Sequence, residues 1–365
     1  MTRALLALLL ILGQLPVAAA TRRRTVQHPS APVAPPAVVA AASQAAEAAL
    51  KAGAPAVQIA VSQRGQIIYS AAFGMSDRES ATAATPRSVL QTGSITKQFA
   101  AAGILRLAER GALSLDDRIE KHVPEFNPRG ATITLRHLLS HTSGLTGLSP
   151  DPYSPVTRAG LIKLIDGQPL VSTPGSKWSY NNNGYRLLGY AIESITGMSF
   201  AEFVHRELAV PLGLIDTGVC GTNNVPVPDG YGMVQGTWVR IPAIHMSVPF
   251  AAGSLCSTTS DLARWSHLLA TGRVVLPESY AMMTTTTRLN DNSLTPYGLG
   301  LFTQNMLGQP AASHTGGISG FQSSLIYLSE KDIAVAVMIN AFPAPPGVSA
   351  HGIALAVAGA ALATP

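Results

Sequence analysis

Gln91-Thr92-Gly93-Ser94-Ile95-Thr96-Lys97-Gln98-Phe99 is the stretch from which the rest of the chain can be read. It sets a serine and a lysine three residues apart at the start of a run with helical spacing. One helical turn separates them, so Ser94 and Lys97 share a face. A serine hydroxyl is a weak nucleophile until a neighbour takes its proton. A lysine can do so once burial or another cation lowers its pKa. A helix N-terminus also favours negative charge developing beside it. Taken alone, Ser-x-x-Lys recurs by chance and equally describes a capped helix with a solvated lysine.

Upstream of this stretch, residues 38–51 are alanine-rich with helical spacing, ending before Gly53 and Pro55. Two strand-like runs follow, 56–62 and 66–72, with Arg64-Gly65 as the turn between them. Downstream, helical spacing predicts a continuation over 99–110 stopped by Gly111, a short helix over 135–139, a helix over 183–196 closed by Gly197, and another over 199–208. A further helix over 260–269 has Thr259 or Ser260 as its cap. The last quarter returns to strands at 297–303, 311–315, 322–328 and 333–339, then to an apolar helix over 348–362. That last helix is short and interrupted by His351, which suits packing on a sheet better than spanning a bilayer. Strands at both ends of the chain therefore flank a helical middle. The expected fold is α/β in the α+β sense, with one antiparallel sheet flanked by helices and the terminal helices on one face. An all-helical subdomain over about 94–270 is inserted into it, and the cleft between the two parts is the natural site.

The chain has 365 residues, 47% hydrophobic and only 12% charged, with 33 Gly and 26 Pro. That length supports one large enzyme domain or two small ones, with a substantial core. The net charge of +5 is dispersed apart from Arg22-Arg23-Arg24, with no basic stripe interleaved with aromatics, which argues against nucleic acid as a partner. Residues 1–20 read as a secretory signal: Arg3, an apolar run from Ala4 to Leu12, and a small-residue cleavage site ending at Ala20. The run is too short to span a bilayer, so export to the periplasm or medium, without stable membrane insertion after cleavage, is expected. Residues 21–36, rich in Arg, Pro and Ala, read as a flexible leader, and 37–365 as the catalytic domain. The two cysteines, Cys220 and Cys256, are either one disulfide of an exported protein or two buried thiols.

Two further clusters carry chemistry. In Trp178-Ser179-Tyr180-Asn181-Asn182-Asn183, Tyr180 and Asn182 are two apart in the loop before a helix and can point into one cleft. A phenol beside a cation can lose its proton and serve as a base, while an amide can hold a lysine and a substrate carbonyl. His314-Thr315-Gly316-Gly317 ends an apolar strand, where glycines let the backbone approach a ligand and a strand edge can bond an extended substrate. Separately, each cluster also reads as an ordinary turn.

The order Ser-x-x-Lys, Tyr-x-Asn, then a basic residue followed by Thr-Gly resembles the signature of penicillin-recognising serine enzymes. The chain resembles the β-lactamase-related serine hydrolase family, which holds class C β-lactamases, D-Ala-D-Ala carboxypeptidases, D-aminopeptidases and esterases. The likeness runs from about Val38 to Asn340. It includes His137-Leu138-Leu139-Ser140-His141-Thr142-Ser143-Gly144-Leu145, Pro211-Leu212-Gly213-Leu214 and Ala252-Gly253-Ser254-Leu255. It implies Ser94 as the acylated nucleophile, Lys97 and Tyr180 sharing base and acid work, and Asn182 orienting Lys97 and the substrate. His314, Thr315 and Gly316 would meet the substrate, and the N–H groups of Ser94 and Gly317 would form the oxyanion hole. No metal or organic cofactor is implied.

Two departures bear on the substrate. His314 stands where class C β-lactamases and many penicillin-binding proteins have lysine, and histidine is mostly neutral near pH 7. The loop Leu145-Thr146-Gly147-Leu148-Ser149-Pro150-Asp151 lacks the glutamine that contacts the substrate amide in class C β-lactamases. Both argue against an efficient β-lactamase. His137 and His141 are spaced like zinc ligands on a helix, but no Glu follows His137, and His141 is better suited to pinning its loop. The expected activity is hydrolysis of an ester or amide through an acyl-enzyme on Ser94, with a D-amino-acid peptide or a small ester as substrate. β-Lactamase activity and a non-catalytic cell-wall or β-lactam binding module are the alternatives.

Overall fold

The computed structural model describes residues 34–364. The expected signal at 1–20, and all of the leader except its last three residues, lie outside the described residues. Helix α1 (Pro36–Lys51) begins inside the stretch read as leader. Proline at its first position explains the start, because its fixed φ suits the first turn and its missing N–H costs nothing there. Strands β1 (Ala56–Gln63) and β2 (Gln66–Asp77) form the expected hairpin. Both turn residues, Arg64 and Gly65, have positive φ (50° and 76°), the pairing that matches the twist of the flanking strands. Strand β3 (Thr82–Ala83) edges the sheet, and β4 (Leu90–Gln91) leads into a tight helical turn over Gly93–Ile95.

The middle of the chain contributes helices α2 (Thr96–Glu109), α3 (Leu135–Leu139), α4 (Arg158–Asp166), α5 (Asn182–Thr196) and α6 (Phe200–Phe203). The helix expected over 199–208 is α6 running into a wider π-turn, Val204–Ala209. Short strand β8 (Leu255–Ser257) pairs on one side with β4 and on the other with β5 (Gly218–Val219), and a hairpin of β6 (Gly230–Val234) and β7 (Thr237–Ile241) lies between β5 and β8 in sequence. Helices α7 (Thr259–Ala270) and α8 (Pro277–Thr284) follow. Strands β9 (Phe302–Met306), β10 (Gln309–Ile318), β11 (Phe321–Leu328) and β12 (Ile333–Ile339) and helix α9 (Ala350–Leu362) complete the chain.

The large sheet runs β3-β2-β1-β12-β11-β10-β9, and every neighbouring pair is antiparallel. Its seam joins the two ends of the chain: Val57 faces Ile339 and Gln63 faces Ile333. Alternation along β12 shows how both faces are filled. Ile333, Val335, Val337 and Ile339 pack against α1 and α9, while Ala334, Ala336 and Met338 face the core that includes Leu262, Ala263 and Trp265 of α7. The sheet thus carries branched residues toward the terminal helices and mostly small ones toward α7. Phe99 of α2 stacks on Trp265 with ring centroids 3.7 Å apart, and the Trp265 indole N–H donates to Gln98 Oε1 at 3.0 Å. These contacts tie the helix after Ser94 to the helix that lies on the sheet.

Three local expectations are corrected. Residues 297–301 are not strand. Gly300 has φ 83°, a Cβ there would meet that of Ala101 at 2.6 Å, and one on Gly298 would meet the Met283 carbonyl at 2.0 Å. The segment is wedged between α2 and α8, and β9 begins only after it. The N-cap of α7 is Thr258, whose hydroxyl accepts from the Asp261 N–H at 3.2 Å. The β6–β7 hairpin, in a stretch for which the sequence predicts no strand, turns through Gln235 and Gly236, both at positive φ. Cys220 and Cys256 are joined in a disulfide beside β5 and β8.

Candidate active site

Ser94 sits at the centre of the Gly93–Ile95 turn, which is fixed from both sides. The Thr92 N–H and hydroxyl donate to the Leu255 carbonyl at 2.8 and 3.0 Å, and the Leu255 N–H donates to the Thr96 hydroxyl at 3.1 Å. From the sheet, the Ser323 hydroxyl donates to the Thr92 carbonyl at 2.7 Å. Gly93 has φ 54°, and a Cβ there would lie 3.1 Å from the Gly317 nitrogen. Glycine at 93 therefore serves both the turn and the close approach of β10. The Ser94 N–H belongs to the unpaired donors that begin a helix.

Lys97 is fully buried, and its Nζ has three neighbours: Ser94 Oγ at 3.0 Å, Asn182 Oδ1 at 2.8 Å and the Ala252 carbonyl at 2.8 Å. Burial, and secondly the charge of Arg186, holds its pKa well below the ordinary lysine value. A neutral amine has two N–H donors and one lone pair. The two carbonyl-type oxygens can only accept, so they take the two N–H groups. The lone pair is then left for the Ser94 hydroxyl proton.

Tyr180 is placed by the loop that His141 pins. His141 has φ 59°, its carbonyl accepts from the Ser179 N–H at 2.9 Å, and its Nδ1 accepts from the Asn181 N–H at 3.1 Å. The neighbouring Asn181 caps α5 by accepting from the Gly184 N–H at 3.1 Å, which sets Asn182 at the first turn facing Lys97. His137 belongs to a different contact, its Nδ1 accepting from the Thr134 N–H at 3.2 Å. The Tyr180 ring lies 4.8 Å from Lys97 Nζ, and its hydroxyl is buried toward Ser94. Burial pushes the phenol pKa far up, only partly opposed by the Ser94 hydroxyl. The phenolate expected beside a cation is therefore disfavoured, because burial that strips the charge from the lysine also keeps the proton on the phenol.

His314 departs from the picture of a residue that meets substrate. It is 1% exposed, with Nε2 2.9 Å from the Tyr297 hydroxyl and Nδ1 2.6 Å from the Thr315 carbonyl. Nδ1 therefore carries the proton and Nε2 accepts from the phenol. Burial, then the Lys97 charge, pulls its pKa down to about 3, so the ring is neutral and both nitrogens are occupied. Thr315 and Gly317 are exposed, and Gly316 is buried. A Cβ on Gly316 would meet the Thr92 carbonyl at 2.0 Å and Ser323 Oγ at 2.3 Å. Strand β9 pairs with β10 only as far as Ser313, so residues 314–318 are paired with β11 alone and leave one edge open beside Ser94.

These parts border a cleft of about 350 Å³ lined by Ser94, Asn182, Gly317, Tyr153, Val248 and Gly253 among others. Its far wall combines Ser149, Pro150, Pro152 and Tyr153 with Ile244, Val248 and Pro249. Sequence reading missed the Ala252 carbonyl, Tyr297 and Arg186. A backbone carbonyl leaves no mark in side-chain identity. Arg186 did leave one: Asn182, Asn183, Gly189 and Tyr190, its neighbours three and four residues away on α5, include no carboxylate.

A family model described as Beta-lactamase matches residues 23–360. The chain is similar to Penicillin-binding protein 4* of Bacillus subtilis (strain 168), 28% identical over 308 residues, which cover 75% of this chain and 68% of that one. It is also similar to the putative penicillin-binding protein PbpX of the same strain, 30% identical over 243 residues. That match covers 66% of this chain, and the chain spans only 60% of that relative's length. Among solved structures, a D-stereospecific amidohydrolase from Streptomyces sp. superposes with a TM-score of 0.74 at 27% identity, covering 87% of this chain and 97% of that one.

Proposed function

The chain belongs to the Beta-lactamase family, whose members are serine hydrolases, and from that premise we propose that it cleaves an ester or amide through an acyl-enzyme on Ser94. The observation that carries this reading is the Lys97 amine, 3.0 Å from Ser94 Oγ with its other two contacts made by oxygens that can only accept. Lys97 takes the hydroxyl proton as the Ser94 Oγ–carbon bond forms. The carbonyl oxygen gains the negative charge and is held by the N–H groups of Ser94 and Gly317. Donors preset in this way are typically worth about 3 kcal/mol each. Tyr180 faces Ser94 and hands its phenol proton to the leaving group as the proton held by Lys97 replaces it, so the acyl-enzyme forms with Lys97 neutral and Tyr180 still a phenol. Lys97 then takes a proton from the attacking water and returns it to Ser94 Oγ as the acyl bond breaks. Asn182 and the open edge of β10 at Thr315 hold the substrate.

The substrate is a small ester or a D-amino-acid amide or peptide. The neighbouring amidohydrolase is D-stereospecific by name, which supports the second. A neutral, buried His314 supplies no cation beside Thr315, which weighs against efficient β-lactam hydrolysis. Export is part of the same proposal, carried by the Arg3-to-Ala20 pattern, and no helix among the described residues is long and apolar enough to cross a membrane. N-terminal sequencing of protein recovered from outside the cytoplasm checks it, with a first residue after Ala20 expected.

Intact mass after exposure to a fluorophosphonate, with penicillin in parallel, tests the site on wild type and Ser94→Ala. A fluorophosphonate adduct on wild type alone is expected. A persistent penicilloyl adduct in addition would point to a peptidase-like site. Folded wild-type protein that takes up neither reagent would overturn the catalytic reading in favour of a binding module.

A further inference from the structure

One charged group in the cleft has no counter-charge among the described residues. Arg186 is 2% exposed, lines the cleft with Ser94 and Asn182, and is held by neutral acceptors alone. Its Nε donates to the Val248 carbonyl at 2.8 Å, Nη1 to Asn183 Oδ1 at 2.7 Å and Nη2 to Ser149 Oγ at 3.0 Å. No carboxylate among the described residues pairs with it, and burial rather than an acid dominates its electrostatics. A guanidinium carries five N–H donors. One N–H on each terminal nitrogen therefore remains without a protein acceptor. Burying a cation without an anion is costly and is recovered when a carboxylate is taken up in hydrogen-bonding geometry. The side chain also stands where a substrate would reach it. Asn182 and Arg186 are four residues apart on α5, just over one turn or about 6 Å along the same face. Asn182 touches the Lys97 that touches Ser94, and Arg186 lies one turn away, beside Ser149 and Val248.

We propose that Arg186 selects substrates whose acyl part carries a carboxylate about one helical turn from the scissile carbonyl. The inference rests on Ser94 being the acylated residue. It names the substrate class of that site: an acyl group ending in a second, free acid, taken up toward Ser149 and Val248. The Ser149 hydroxyl fixes the guanidinium and leaves that end of the cleft to the ligand.

The test uses two esters of one length, 4-nitrophenyl hexanoate and mono-4-nitrophenyl adipate, which differ by a terminal carboxylate. Uncatalysed hydrolysis is subtracted for each. On wild type, kcat/KM for the adipate monoester is expected to exceed that for the hexanoate ester by about tenfold or more. Arg186→Gln is expected to lose that preference, and Arg186→Lys to keep part of it. The quantity read is the ratio of the two esters on one enzyme. Any effect of the arginine charge on Lys97 enters both substrates alike and cancels. A ratio that stays the same, within twofold, in wild type and Arg186→Gln overturns the inference. Should the variants not fold, wild type alone decides, and a hexanoate ester turned over as well as the adipate monoester overturns it equally. Fluorophosphonate labelling separates the two levels. Labelled Ser94 with no preference removes this inference and leaves the acyl-enzyme reading standing. An unlabelled Ser94 with neither ester hydrolysed removes both.

Discussion

Replacing Lys97 with methionine turns the neutral-amine argument into a stability measurement. Lys97 is wholly buried with no carboxylate partner among the described residues, and burial leads the causes that hold its pKa well below 10.5. In the unfolded chain the same lysine titrates near 10.5. Between the folded value and 10.5 the unfolded state therefore binds one more proton than the native state. Unfolding free energy rises with pH wherever the unfolded state holds more protons, by about 1.4 kcal/mol per pH unit for one proton. The destabilisation by Lys97 is thus absent above 10.5, grows as pH falls, and levels off below the folded pKa. Methionine fills much of the same space and does not titrate. It also strands the Ala252 carbonyl and the Asn182 amide oxygen, a loss that does not vary with pH across this range. The expected result is that Lys97→Met gains on wild type by about 1.4 kcal/mol for each unit the pH is lowered from 10, down to a plateau whose onset reads the folded pKa. Urea unfolding at fixed ionic strength from pH 6 to 10, followed by far-UV circular dichroism, measures it, provided the m-values agree. A stability difference that is flat across this range would falsify the neutral amine. In the same variant, fluorophosphonate labelling of Ser94 is expected to slow by about 10²–10⁴, the usual contribution of a positioned base.

The two glycines of the third cluster are expected to respond differently. Gly316→Ala drives a Cβ into the Thr92 carbonyl and should cost about 3 kcal/mol in unfolding free energy, whereas the Cβ of Gly317→Ala meets only the ring edge of Phe342 and should fold normally. His314 has a folded pKa of about 3 against 6.5 unfolded, so the unfolded state binds the extra proton in between. Wild type should lose stability relative to His314→Gln as pH falls from 6.5 toward 4, and kcat/KM between pH 6 and 8 should show no titration belonging to this histidine. The Cys220–Cys256 bond closes a loop of 36 residues, and replacing both cysteines with alanine should lower stability by about 3–4 kcal/mol in denaturant titrations without altering Ser94 labelling.

What could be read from the sequence, and what could not, divides according to how the information is stored. Ser94 and Lys97 are legible because one helical turn joins them, and Tyr180 and Asn182 because two residues in an asparagine-rich loop must leave it on one side. The sheet seam between β1 and β12 is legible because both strands run apolar and both lie near chain ends. The line fails at residues 297–301, where an alternating pattern predicts strand although Gly298 and Gly300 are there to pass beneath α2 and α8. It fails again at the Ala252 carbonyl, 155 residues from Lys97, since any residue type could present it. Arg186 is the instructive case. An arginine on a helix normally reads as a solvated face, and what marks it as otherwise is negative evidence: no acid one turn away on either side. Such an absence gains meaning only once the fold puts Val248, Asn183 and Ser149 around the side chain and leaves it 2% exposed on the cleft wall. Protonation is the most distant from sequence of all. Lys97, Tyr180 and His314 each have an ordinary charge state that their residue type suggests, and in each it is burial, the first cause in every case, that favours the neutral form. Three groups that read as a cation, a potential anion and a weak base are each pushed toward the neutral form because the helices around them exclude water. The chemistry of the site is therefore a property of the packing of α2, α5 and β10, and only its cast of residues belongs to the sequence.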